Sequence, residues 1–122
     1  MINKTDLRII SLMIEKTNRL IDILSKYGRE KIEQDYVLSD AVQYEFEKLY
    51  EDSTRLSVEI RLNYFNQLHI DDLRGMRNRI AHNYAVVSLR ILIDTIENDL
   101  PQLKKICKLL LITIYKIFKT IV

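Results

Sequence analysis

The chain carries very little that breaks or staples a backbone: two glycines, one proline and one cysteine in 122 residues. So few chain breakers disfavour a many-stranded, turn-rich β fold and favour long helices. A single cysteine, Cys107, excludes an internal disulfide and leaves no second thiol for a metal cluster, which reads as a cytoplasmic chain. No run approaches the roughly 20 apolar residues that span a bilayer. The longest uncharged segment of the tail, Leu109–Tyr115, is bounded by Lys108 and Lys116. The first residues do not read as a signal peptide, because Met1–Ile14 carries Lys4, Asp6 and Arg8. A membrane is therefore not an expected partner. There is no glycine-rich phosphate loop, no Gly-x-Ser-x-Gly and no Cys or His pair at metal-ligand spacing, so neither a metal nor a cofactor is expected. The formal net charge of +2 does not mark a nucleic-acid binder by itself. Any such contact must come from local clustering, and the best cluster is Arg74, Arg77 and Arg79.

What is present is helical patterning. Apolar residues make up 48% of the chain, which excludes disorder, and residues 1–122 fit one domain. From Thr5 to Tyr27 the positions Ile10, Met13, Ile14, Thr17, Leu20, Ile21, Leu24 and Tyr27 form an amphipathic stripe. Thr5 with Asp6 opens it and Gly28 closes it. A second stripe, Val42, Phe46, Leu49, Ser53, Leu56 and Ile60, predicts a helix over roughly Leu38–Ile60, with Asp40 and Gln43 as reciprocal caps. Arg61–Ile70 reads as a connection. A third helix starts near Asp71–Asp72 and runs to His82 or Tyr84, with Leu73, Met76 and Ile80 inward. The last stripe is the most regular: Leu89, Ile93, Ile96, Leu100, Leu103, Cys107, Leu110, Ile114, Ile117 and Ile121, with Ser88 as its N-cap. Pro101 marks either a kink or a new helix capped by Asn98 or Asp99. The stripe can be bundle core or a coiled-coil seam, and packing into the same bundle is the preferred reading. The fold class is all-α, an up-and-down bundle of about five helices.

One short stretch carries candidate chemistry. On a wheel of about 100° per residue, Asn78 and His82 stack on a face away from Leu73, Met76 and Ile80. Arg77 sits at the margin, about 140° from His82, too far for a simple same-face pair. On the preceding helix Glu47 and Glu51 also point away from their apolar stripe. Two polar pairs thus lie on outward faces, where they meet either water or a second copy.

The segment Arg77–Asn78–Arg79–Ile80–Ala81–His82–Asn83–Tyr84 resembles the R-x₄-H-x-Y signature of HEPN toxins, in the HepT-like branch found in HEPN–nucleotidyltransferase modules. Glu47–Lys48–Leu49–Tyr50–Glu51 resembles the family's upstream Glu-x₃-Glu helix. Leu73–Asn78 resembles its lead-in and Asp99–Leu103 its closing segment. The likeness spans about residues 5–110. The chain departs from the pattern at Tyr50 and Asp52, where small residues are common, and at Asn83, where Gly is frequent.

The resemblance implies a homodimer and metal-independent RNA cleavage of an endoribonuclease type, in messenger or transfer RNA. His82 suits proton transfer near neutral pH and Arg77 suits phosphate binding. Asn78 is then an orienting or phosphate-binding group, and Arg74 and Arg79 are further phosphate contacts. Glu47 and Glu51 are supporting residues that order Arg77 at the cleft, or else a solvated face. In this branch a cognate minimal nucleotidyltransferase antitoxin can attach AMP to the motif tyrosine, which is Tyr84 here. The alternative is a non-catalytic HEPN module that docks such a nucleotidyltransferase. His69 has no assigned role, and Cys107 reads as buried core.

Overall fold

The computed structural model describes residues 3–63 and 85–121. Among the described residues there are five helices and no strand: α1 Lys4–Gln34, α2 Tyr36–Thr54, α3 Val58–Asn63, α4 Ala85–Asn98 and α5 Leu100–Ile121. The all-α bundle expected from the stripes is present.

Helix α1 is the spine. Its cap lies on Asn3, earlier than Thr5: the Asn3 side chain accepts from Asp6 N–H (2.9 Å) while the Asp6 carboxylate accepts from Asn3 N–H (3.2 Å). This reciprocal box satisfies two otherwise unpaired donors of the first turn. Ile10, Met13, Thr17 and Leu20 are fully buried, as the stripe predicts, whereas Tyr27 at its end is exposed. Gly28 interrupts the helix with φ +79° and ψ 163°, a conformation open essentially to glycine alone. The chain does not end the helix there. It turns and resumes helical geometry to Gln34, with Ile32 fully buried.

A single extended residue, Asp35, joins α1 to α2. Its N–H closes α1 on the Lys31 carbonyl (3.0 Å), and its carboxylate accepts from Val37 N–H (2.9 Å) and Leu38 N–H (3.5 Å). The expected Asp40–Gln43 cap is therefore displaced: Asp40 is an exposed residue inside α2, and Gln43 donates to the Ser39 hydroxyl (3.0 Å). Val42, Phe46, Leu49, Leu56 and Ile60 are buried as predicted, but not on one helix. The chain breaks at Arg55–Ser57 because the Ser57 N–H is taken by the Asp6 carboxylate of α1 (2.8 Å), and α3 then begins at Val58.

Helix α4 starts at Ala85, so Ser88 lies inside it and is not its cap. Asp99 closes α4 through its N–H on the Thr95 carbonyl (2.9 Å) and opens α5 by accepting from Leu103 N–H (3.1 Å). Of the two readings of Pro101 the structure selects the new helix. The proline stands in the first turn, where a missing N–H costs no helix bond. Leu89 through Ile114 of the last stripe are buried, so the heptad is core; Ile117 is 44% exposed.

Polar cross-links show the directions. Asp6 meets Ser57, Lys16 meets Asp52 and Arg19 meets Glu45, so α2 runs antiparallel to α1. Arg29 meets Asp94 and Glu97, and Arg90 meets Glu33, so α4 runs antiparallel to the second arm of α1. Helix α5 packs against α1, and a groove between them is lined by Leu7 and Ser11 of the first arm and by Leu111 and Tyr115.

The Lys16–Asp52 pair is almost out of water, and Asp52 also accepts from Arg55. Removing one partner of such a pair leaves a buried charge. Lys16→Met is expected to cost up to about 3 kcal/mol, while Lys16→Met with Asp52→Leu recovers most of that loss. Urea unfolding of the three proteins checks this, and equal losses in single and double variants would contradict it.

Candidate functional site

Residues 64–84 lie between α3 and α4, and both of these helices are anchored to α1. On the entry side, α3 is held by Leu56 and Ile60, both buried, and by the Asp6–Ser57 bond near the start of α1. On the return side, α4 is held by Leu89, Leu92, Ile93 and Ile96, and by ion pairs to the second arm of α1. The two flanks of residues 64–84 are therefore fixed near opposite ends of one helix. Arg74, Arg77, Asn78, Arg79, His82 and Tyr84 lie outside the described residues, as does His69.

Two of the sequence-predicted residues are described. Glu47 is partly buried and Glu51 exposed, on the side of α2 away from Phe46 and Leu49. The Glu51 carboxylate accepts from Lys48 Nζ (3.3 Å), whose ammonium also sits 5.4 Å from the centre of the Tyr44 ring. Lys48 is held above its ordinary pKa, first by the hydrogen bond to Glu51 and then by the charge of that carboxylate, with Tyr44 and Glu47 pushing the same way more weakly. Glu51 thus has a partner on its own helix, and both acids keep their place on the outward face that the wheel assigned to them.

The cross-links to α4 were not anticipated from the sequence. Arg29 binds two carboxylates at once, with Glu97 at 2.8 Å, and its pKa is raised, first by Asp94 and then by Glu97. The sequence signal was present only in part: Asp94 and Glu97 are one helical turn apart, a fork that suits a guanidinium, but nothing local points to Arg29. Asp52 had been visible as a departure from the family pattern. The structure explains it, since the carboxylate where a small residue is usual has Lys16 and Arg55 to receive it. Tyr50, the neighbouring departure, packs partly buried against the core.

A family described as ribonuclease HepT-like matches residues 13–110. The chain belongs to the HepT-like family. No solved structure matches the chain. The matched span contains the Glu47–Glu51 turn of α2, the whole Arg74–Tyr84 stretch and the junction at Pro101. Cys107 of this HepT-like chain is fully buried in α5, and burial pushes its thiol up to about 12.

That shift removes Cys107 from the candidate chemistry, because the thiolate is the reactive form. In the native protein at pH 8 a thiol reagent such as Ellman's should leave Cys107 unmodified for as long as the fold persists, and should titrate it at once in denaturant. Rapid native labelling would contradict its burial.

Proposed function

We propose that this HepT-like chain is a ribonuclease toxin of a toxin–antitoxin module, cutting RNA without a metal ion at a site completed by two copies of the chain. The observation that supports the reading is the ribonuclease HepT-like family match over residues 13–110, a span in which Arg77, Asn78, His82 and Tyr84 stand.

RNA holds its own nucleophile, the 2′-hydroxyl. Cleavage requires a base for that proton, charge stabilisation at phosphorus and an acid for the leaving 5′-oxygen. His82 as neutral imidazole takes the 2′-hydroxyl proton. The 2′-oxygen bonds to phosphorus, and the bond from phosphorus to the 5′-oxygen breaks. A protonated His82 of the second copy gives its proton to that oxygen, leaving a 2′,3′-cyclic phosphate and a 5′-hydroxyl. Arg77, always charged and forked, neutralises the phosphate oxygens, with Asn78 orienting His82 and Arg74 and Arg79 holding neighbouring phosphates. One histidine in the signature of each chain is too few for both proton transfers. On a helical wheel of the sequence Arg77 also falls about 140° from His82. A two-fold dimer removes both difficulties. Glu47 and Glu51 lie on an outward face of α2, where they can order an arginine of the cleft.

Tyr84 is the point of control. A cognate minimal nucleotidyltransferase antitoxin attaches AMP to it, and the added phosphate beside Arg77 repels RNA by charge. The module is cytoplasmic, with messenger or transfer RNA as substrate.

Purified protein in chelator, incubated with RNA, should release fragments ending in cyclic phosphate. Arg77→Ala and His82→Ala should each lower the rate by at least about 100-fold. Tyr84→Phe should cleave nearly normally yet gain no AMP mass with antitoxin and ATP. Full activity in both alanine variants would overturn the catalytic assignment, and no cleavage by the wild type would leave a docking module.

A further inference from the structure

Helix α5 has two faces, and the bundle uses one. Leu103, Cys107, Leu110 and Ile114 turn into the core. On the opposite side Leu109, Ile112 and Tyr115 are 64%, 53% and 62% exposed. Three large apolar side chains on successive turns of a soluble surface form a patch rather than scattered exposure. Beside them, between α1 and α5, an open groove of about 540 Å³ is lined mainly by Leu7, Leu111, Ile112 and Tyr115, with Lys119 at its edge.

The charge around this face has one sign. All 17 acidic residues of the chain precede Leu100, and α5 carries Lys104, Lys105, Lys108, Lys116 and Lys119 with no carboxylate. At about 100° per residue, Lys105, Lys108, Lys116 and Lys119 fall within the same stripe as Leu109, Ile112 and Tyr115. Lys105, Lys108 and Lys119 form no ion pair among the described residues, in contrast to Arg29, Lys48 and Lys16 elsewhere in the bundle.

We infer that the outward face of α5, from Lys105 to Lys119, docks an acidic amphipathic segment of another protein. An apolar stripe on that segment fills the groove between Leu7 and Tyr115, and carboxylates along its margins meet the lysines. The other occupants fit less well. A second copy paired about a two-fold axis would set this lysine row against itself. Nucleic acid is bound through phosphates and stacked bases, whereas the centre here is aliphatic, with Tyr115 as its single ring. A bilayer surface takes a broad apolar face, whereas these side chains border a concavity and are interleaved with lysines. The inference is independent of the proposed cleavage chemistry, because none of these residues belongs to that site.

The full chain should be titrated with labelled helical peptides that share a leucine stripe flanked by Glu in one and by Lys in the other. The Glu peptide should bind, more weakly as salt rises, and the Lys peptide should not. Lys105→Glu with Lys108→Glu, and separately Ile112→Ser, should each weaken binding by at least about tenfold with the helical spectrum unchanged. Absence of binding by the Glu peptide, or equal binding of both, overturns the inference. So does capture by phosphatidylglycerol vesicles or single-stranded RNA with the same dependence on Ile112 and the lysines. Conversion of a dimer to a monomer by Ile112→Ser would assign the face to a second copy instead.

Discussion

The register between α1 and α2 rests on two carboxylates taken out of water. Asp6 and Asp52 are 2% and 3% exposed, and each is bound across the helix pair, to the Ser57 N–H and to Lys16. Apolar packing of Met13 or Phe46 tolerates a slide along the helix; a buried carboxylate does not, because any other register strips it of its donor across the pair and leaves only the local one, Asn3 N–H or Arg55. These contacts add little net stability, since desolvation offsets most of their attraction. What they fix is position. The Asp6–Ser57 bond also ends one helix and starts the next, so the direction in which the chain leaves toward the candidate segment follows from it.

The second constraint is the glycine in the spine. At Gly28 the backbone turns through a conformation that only glycine adopts easily, and the short arm beyond it carries Arg29 and Glu33 to α4. One helix therefore holds both flanks of the signature, the entry near its start and the return near its end. The HepT-like match, over residues 13–110, covers the Gly28 turn and all of α4 but begins after Asp6.

Much of the fold was legible because helix periodicity reports burial directly. The stripe from Leu89 to Ile114 is buried without a miss, and so are the inward positions of α2 and α3. The errors lay where tertiary contacts outrank local pattern. A single stripe from Val42 to Ile60 hides a break, because the break is caused by Asp6, far away in sequence. Asp35 displaced Asp40 as a cap because it could serve two helices at once. Gly28 reads as a stop in the sequence, yet Ile32 has apolar surface to bury and the helix resumes. In the candidate site, the sequence located Glu47 and Glu51 on an outward face, but the Lys48–Glu51 pair depends on rotamers that spacing alone does not set. The signature itself was legible as chemistry because few side-chain sets combine a neutral-range acid–base with a fixed fork of positive charge.

The wheel positions of Arg77 and His82 and the single histidine near the signature lead to the same requirement, a site completed by two chains. Mixing equal amounts of wild-type and His82→Ala protein after dissociating and reassociating them tests that requirement most directly. If each site draws on His82 of both copies, only the dimers made of two wild-type chains cleave, and activity falls to about a quarter of that of the same amount of unmixed wild type. Activity of about half would mean that each chain works alone, and the shared site is wrong.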